Sequence, residues 1–203
     1  FTDNGNNTGT FNWTPTFTQA AIYNITFYAT DGIDTDSEQV VITVNNVNQL
    51  PVLATIGPRS VNEGVNLNFA VTATDADGVT LTLTTSSPLP PGATFTDNGN
   101  NSGTFNWTPT FTQANTYNIT FYASDGVDTD SERVTITVND AGNQAPVLAA
   151  IGPRTVAEGA NLNFSISATD ADLTIPALSA VNAPANATFT DNGNGTGTFN
   201  LTP

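Results

Sequence analysis

The chain has 203 residues, with eighteen aspartates and glutamates against three arginines, a formal net charge of −15, and no histidine, cysteine, methionine or lysine. Most catalytic schemes take their base, nucleophile or metal ligand from His, Cys or Lys, so this composition argues against an enzyme, and the missing lysine also excludes Lys–Asn isopeptide crosslinks. Three cations cannot neutralise a track of phosphates, which argues against nucleic acid and anionic lipid as partners, and the absence of a long apolar run argues against direct membrane insertion in this segment.

The first element, FTDNGNNTGTFNWTPTFTQA at Phe1, returns as FTDNGNNSGTFNWTPTFTQA at Phe95 and begins again as FTDNGNGTGTFNLTP at Phe189, two spacings of 94 residues. A second element, LPVLATIGPRSVNEGVNLNFAVTATDAD from Leu50, returns from Ala145 with an offset of 95, because the intervening linker has gained one residue. Helical and leucine-rich solenoid repeats run to roughly 20–47 residues, whereas an autonomous β-sandwich takes about 100. The chain is therefore expected to hold the C-terminal half of one repeat (1–47), a complete repeat (48–142) and the N-terminal part of a third (143–203). With no methionine and both ends inside a repeat, the termini read as cuts in a longer array.

Within the complete repeat nearly every segment alternates with period two, the signature of half-buried strands. PVLATI opens the unit. Leu67, Phe69, Val71 and Ala73 share one face, with Asn66, Asn68, Thr72 and Thr74 on the other. Val79, Leu81 and Leu83 form the next segment, and ATFT and TFNWT flank an Asn-Gly turn. Tyr117, Ile119 and Phe121 then alternate with Asn118, Thr120 and Tyr122, and Val134, Ile136 and Val138 with Thr135 and Thr137. About seven strands and no helix result. Abundant Thr with Asn-Gly, Asp-Gly and Pro-Gly punctuation suits antiparallel sheets joined by tight turns. Tyr117, at the entry to the penultimate strand, stands where sandwiches often carry a tyrosine corner.

Two local features have two readings each. The oxygen-rich DNGNNSG stretch from Asp97 has part of the donor set of a calcium loop but lacks a closing bidentate Glu, and a hairpin turn built on Asn98 and Gly99 accounts for it. Trp13 and Trp107 could offer a sugar-stacking platform, but Leu201 holds the same repeat position, which suits a core anchor better.

Acidic residues gather where one repeat meets the next. VTATDADG at Val71, ASDG at Ala123, VND at Val138 followed by NQAP at Asn143, and VNEG at Val61 together resemble the calcium-binding signatures of cadherin repeats, and the resemblance spans the whole unit. It implies a tandem array of seven-stranded Ig-like or cadherin-like antiparallel β-sandwiches of about 94 residues, rigidified by Ca²⁺ shared between neighbours. At the first joint the implied ligands are Asn45, Asn46, Asn48, Asp75, Asp77 and Asp125. At the second they are Glu63, Asn139, Asp140, Asn143, Asp170 and Asp172. The Leu-Asp-Arg-Glu motif of cadherins is replaced here by FNWTP, which removes a two-calcium cluster, and the linkers are poor in carboxylates. The implied site is accordingly weak, in the ~0.1–1 mM range of extracellular modules. With its WTP triplet, its Tyr before the penultimate strand and its ASDG, the unit looks more like the dystroglycan-type cadherin-like repeats and Ig-type repeats of microbial surface proteins. The same Asp and Gly residues are also those that turns prefer, so a plain turn reading stands beside the metal.

The functional expectation is a non-enzymatic extracellular stalk, surface fibre or adhesin, with neighbouring repeats, other copies of itself, glycans or cell-surface proteins as partners. One alternative is a carbohydrate-binding accessory module of a secreted protein, with Tyr28 and Tyr122 as its outward aromatics. A second is a filament subunit: residues 143–188 supply the first half of a repeat and 1–47 the second, so copies could complement one another head to tail. Of the recurring Asn-x-Ser/Thr triplets, Asn24 and Asn118 are turned outward by strand alternation.

Overall fold

The computed structural model describes residues 1–202, which are all-β. The leading segment contains β1 (Thr2–Asp3), β2 (Gly9–Thr10), β3 (Ala21–Thr30) and β4 (Thr35–Val44). The central segment contains β5 (Val52–Leu53), β6 (Arg59–Asn62), β7 (Leu67–Thr74), β8 (Thr82–Thr85), β9 (Thr94–Asp97), β10 (Ser102–Trp107), β11 (Asn115–Ser124) and β12 (Thr129–Asn139). The trailing segment contains β13 (Val147–Leu148), β14 (Leu162–Thr169), β15 (Ala187–Asp191) and β16 (Thr196–Leu201).

In the central segment two four-stranded sheets face each other, ordered β5-β7-β10-β9 and β6-β12-β11-β8. All pairings are antiparallel except that of β6, which runs parallel to β12. β5 and β6 are two halves of one opening strand that crosses between sheets at Ile56–Pro58, so the unit is a seven-stranded sandwich of Ig-like type. The crossing leaves backbone N–H groups without a ladder partner. Glu132 supplies one, accepting from Ile56 at 2.9 Å and from Gly57 at 3.2 Å, while Asp130 accepts from Leu53 at 2.8 Å.

The alternation of the sequence is realised in the core. Val71, Ala73, Ile119, Phe121, Val134, Ile136 and Val138 are buried, with Phe69, Phe95 and Phe105 arranged around Phe121 at centroid distances of 5.9, 5.4 and 6.0 Å. Trp107 is 1 % exposed, and its Nε1–H donates to the Pro91 carbonyl at 3.2 Å, which makes it a core anchor rather than a sugar platform. Tyr117 forms the tyrosine corner, its hydroxyl donating to the Gln113 carbonyl at 2.9 Å.

Two local expectations need correction. Val79 does not continue the Leu81–Leu83 segment inward: β8 starts only at Thr82, and Val79 is exposed in the preceding loop. The turn between β9 and β10 is a hairpin, but positive φ falls on Gly99 and Asn101 rather than on Asn98 and Gly99. The turn itself requires a left-handed residue there, since Asn7 at φ 66°, Asn101 at 59° and Gly195 at 75° hold the same place in the three copies; Asn101 also accepts from Ala73 at its carbonyl and from Leu81 at its side-chain oxygen, at 2.7 Å.

The flanking segments repeat parts of this architecture. β3 and β4 form a ten-residue hairpin in the register of β11 and β12. β13-β14-β16-β15 reproduces the order of β5-β7-β10-β9.

Candidate functional site

Linker residues after β4 and β12 run into the next sandwich under the loop that carries Asp-Ala-Asp. The loop turns back on itself because Asp75 Oδ1 accepts from the Asp77 N–H at 2.7 Å, an Asx turn completed by Gly78 at φ 73°. That turn aims the Asp77 carboxylate at the linker, where Oδ2 accepts from the Gln49 N–H at 2.6 Å. The second joint repeats the device: Asp170 Oδ1 accepts from the Asp172 N–H at 2.8 Å, and Asp172 Oδ2 accepts from the Gln144 N–H. One carboxylate thus holds one backbone amide at each junction.

Asn48 adds a second tie at the first joint. Its Nδ2 donates to Asp125 Oδ2 at 2.9 Å and to Asp128 Oδ2 at 3.0 Å, so the linker is bound to the β11–β12 turn as well. Asp125 Oδ1 in turn caps that turn, accepting from Val127 at 2.7 Å and Asp128 at 2.6 Å. These donors stabilise the ionised form. The Asp128 N–H, then the Asn48 amide and the Val127 N–H, hold the Asp125 carboxyl below the ordinary aspartate value. Asp31, in the equivalent turn of the leading segment, is lowered by its own Asp34 and Ile33 N–H groups without an asparagine partner.

At the second joint, Glu63, Asp140, Asn143 and Asp172 line one open cleft of about 390 Å³, walled by Phe111. Glu63 is 3 % exposed, and its carboxylate joins two elements, accepting from Ala114 at the foot of β11 at 2.6 Å and from Ala141 in the linker at 3.3 Å. Asp140 Oδ1 caps its own turn by accepting from Gly142 at 2.7 Å.

The implied ligand sets are thus only partly assembled. At the first joint Asn48, Asp75, Asp77 and Asp125 fall into one hydrogen-bonded group, whereas Asn45 and Asn46 line a separate small cleft with Phe17 and Val44. At the second joint Asp170 is tied behind Asp172, and Asn139 turns to the sheet, donating to Ser60 Oγ and Asn62 Oδ1. Sequence reasoning missed Asp128, Asp130 and Glu132, which hold the linker and the split first strand. The Asp-Gly-x-Asp spacing of the turn was the available signal for Asp128; Asp130 and Glu132 look like any solvent-facing strand carboxylate.

The donor set can be tested against a hard cation. Asp75 Oδ2 and Asp77 Oδ1 are buried and have no hydrogen-bond partner, a costly state for carboxylate oxygens that a cation would relieve. Among the described residues, however, no three acidic side chains come together as a closed metal cluster. The two unpartnered oxygens of Asp75 and Asp77 are the part of the implied set that is open to a cation, while Asn48 turns its N–H donors, not its oxygen, toward Asp125 and Asp128.

The family model described as "Putative Ig domain" matches residues 50–139, which is the central segment. Chitinase A of Pseudoalteromonas piscicida is 31 % identical over 124 residues, 61 % of this chain and 15 % of that protein. The integrin beta-like protein B of Dictyostelium discoideum is 26 % identical over 215 residues, 97 % of this chain and 11 % of that protein. The chain therefore spans less than a sixth of the length of either relative. Among solved structures, an endo-fucoidan hydrolase of glycoside hydrolase family 107 overlaps 91 % of this chain and 30 % of its own at 19 % identity and a TM-score of 0.42. A three-Ig segment of titin overlaps 87 % of this chain and 62 % of its own at 11 % identity and a TM-score of 0.38. No helix among the described residues is long and apolar enough to cross a membrane. With its split first strand, two facing sheets and tyrosine corner, the central segment is an Ig-like repeat.

Proposed function

We propose that this chain is part of a non-catalytic extracellular spacer, a stalk or surface fibre in which each Ig-like repeat is set at a fixed angle to the one before it. The observation that carries this reading is the recurrence of one contact at both joints, Asp77 on the Gln49 amide and Asp172 on the Gln144 amide. Both contacts lie within the following repeat, 48–142 and 143–203, and fix the direction in which the linker enters it; the cleft that Glu63 and Asp140 share with Asp172 brings the preceding repeat against the same loop at the second joint. The absence of His, Cys and Lys from the sequence supports a structural role.

Calcium fits this role as a reinforcement of the joint. Bound there, Ca²⁺ would supply charge neutralisation between two acidic units. Asp75 and Asp77 would offer their free oxygens, and Asn48 would hold Asp125 beside the linker. The test is calorimetry of the chain with millimolar calcium and with chelator, alongside small-angle scattering. A rise in melting temperature with calcium that disappears in Asp75→Ala supports the metal. A flexible scattering profile under both conditions would overturn the spacer itself.

A second reading places the same spacer in a secreted polysaccharide-acting protein, supported by the 31 % identity to part of a chitinase. Tyr122, half-buried on the outer face of the complete repeat, is the aromatic such a module would use, and Tyr28 holds the same repeat position in the leading segment, where β3 pairs with β4 alone. Retention on chitin that is lost in Tyr122→Ala would favour this reading.

A further inference from the structure

The oxygen-rich turn that recurs along the chain contains a thermolabile pair, Asn-Gly. In such a pair the glycine N–H can attack the asparagine side-chain carbonyl, and with no Cβ beside it that nitrogen is unhindered. Four pairs occur: Asn4-Gly5, Asn98-Gly99, Asn192-Gly193 and Asn194-Gly195. In the first three the nucleophile is occupied. The carboxylates of Asp3, Asp97 and Asp191 accept from the Gly5, Gly99 and Gly193 N–H groups at 2.9, 3.0 and 3.0 Å. Their asparagines are tied as well, Asn4, Asn98 and Asn192 donating from Nδ2 to the hydroxyls of Thr8, Ser102 and Thr196 at 3.0, 3.0 and 2.9 Å.

The fourth pair is built the other way. Gly195 stands where the leading and central copies have Asn7 and Asn101, and its N–H donates to no acceptor among the described residues. Asn194 Oδ1 accepts twice, from the Thr196 N–H at 3.1 Å and from the Thr196 hydroxyl at 2.6 Å. Two donors on one carbonyl oxygen polarise Cγ and stabilise the oxyanion that attack would form there. Asn100, at the same place in the central copy, receives the Ser102 hydroxyl at 2.6 Å, but the bulkier Asn101 follows it. Of the four pairs, Asn194-Gly195 alone combines a free glycine nitrogen with an activated carbonyl.

We propose that Asn194 is a site of self-modification, converted in the folded chain to aspartate and isoaspartate with water as the sole co-reactant. The Gly195 nitrogen gives its proton to solvent and bonds to Asn194 Cγ. The Cγ–Nδ2 bond breaks, and Nδ2 leaves as ammonia after taking a proton from solvent. Water then opens the resulting succinimide at either carbonyl, and nothing is oxidised or reduced. The turn between β15 and β16 gains a carboxylate, and the conversion accumulates with the age of the molecule.

Incubation of the 203-residue chain at mildly alkaline pH, with and without denaturing urea, tests this by tandem mass spectrometry that separates Asn192 from Asn194. In the folded chain Asn194 is expected to gain one mass unit while Asn4, Asn98 and Asn192 react about tenfold more slowly or less, since each must first break a hydrogen bond to a carboxylate. In urea all four are expected to react at similar rates. Equal rates in the folded chain, or the same ranking with and without urea, overturn the proposal. Thr196→Val removes the hydroxyl and keeps the side-chain shape, and is expected to slow Asn194 several-fold, with continued protection of Asn98 reporting an intact fold. An unchanged rate in that variant would overturn the activation by Thr196.

Discussion

Trp107 stands edge-on to Tyr117, their ring centroids 4.9 Å apart and their planes at 87°. Each ring also spends its polar atom on a carbonyl, Trp107 on Pro91 and Tyr117 on Gln113, so the pair ties the start of β11 to the loop before β9. The leading segment repeats the pair as Trp13 and Tyr23 at 4.8 Å. Tyr117→Phe removes one bond and leaves a half-buried carbonyl short of a donor, a loss of about 1–2 kcal/mol. Trp107→Ala empties the end of the core and is expected to cost about 3–5 kcal/mol. Urea denaturation of each variant gives both numbers.

Phe95 lies across the backbone of Gly103 in the neighbouring strand, where a Cβ would come within 2.3 Å of the ring tip. The arrangement recurs as Phe1 over Gly9 and Phe189 over Gly197, at 2.3 and 2.4 Å. The glycine makes room for an aromatic that would otherwise be expelled from the sheet edge. Gly103→Ala should push Phe95 away from Phe121 and destabilise the repeat by about 1–3 kcal/mol, as overpacking does. Phe95→Leu together with Gly103→Ala should recover part of that loss, read from the same denaturation midpoints.

Glu63 is a buried carboxylate that holds Ala114 and Ala141, one in the core repeat and one in the linker. Glu63→Ala leaves both amides without this acceptor and is expected to lower stability by about 2–3 kcal/mol. Hydrogen exchange should accelerate at these two amides specifically. If it accelerates across β11 and β12 alike, the residue acts on the whole core and not on the joint.

Asp125 has its carboxyl held below the ordinary range, first by the Asp128 N–H and then by Asn48. A group depressed in the folded state adds stability that is full above its unfolded value, about 3.9 for aspartate, and that fades as the pH falls through its lower folded value. Acid should therefore loosen the first joint. Asn48→Ala should move the Asp125 titration upward while leaving it depressed, because the larger cause remains, and should leave Asp31 where it is. Carboxyl-carbon NMR titration of the two residues provides the comparison.

Repetition, strand number and inward face were legible from the residues alone. They are local properties: a period of two fixes which side chains share a sheet face, and near-identical copies reveal the unit whatever its packing. Trp107 could be placed in the core because Leu201 shares its position, and Tyr117 could be matched to a corner by its place before a strand. Which oxygens meet at a joint was not local. Asp75 and Asp125 lie fifty residues apart in sequence, and Asn48 reaches Asp125 and Asp128 only because the sandwich brings the β7–β8 and β11–β12 turns to the same end. Asn139, the last residue of β12, is turned to the sheet, where it donates to Ser60 and Asn62, and Asn45 lies in a separate cleft beside Phe17. Packing alone decided that the Asp-Ala-Asp pair would clamp a backbone amide and still keep two buried oxygens free. A carboxylate's partners depend on which backbone ends arrive beside it, and only the closed sandwich specifies that.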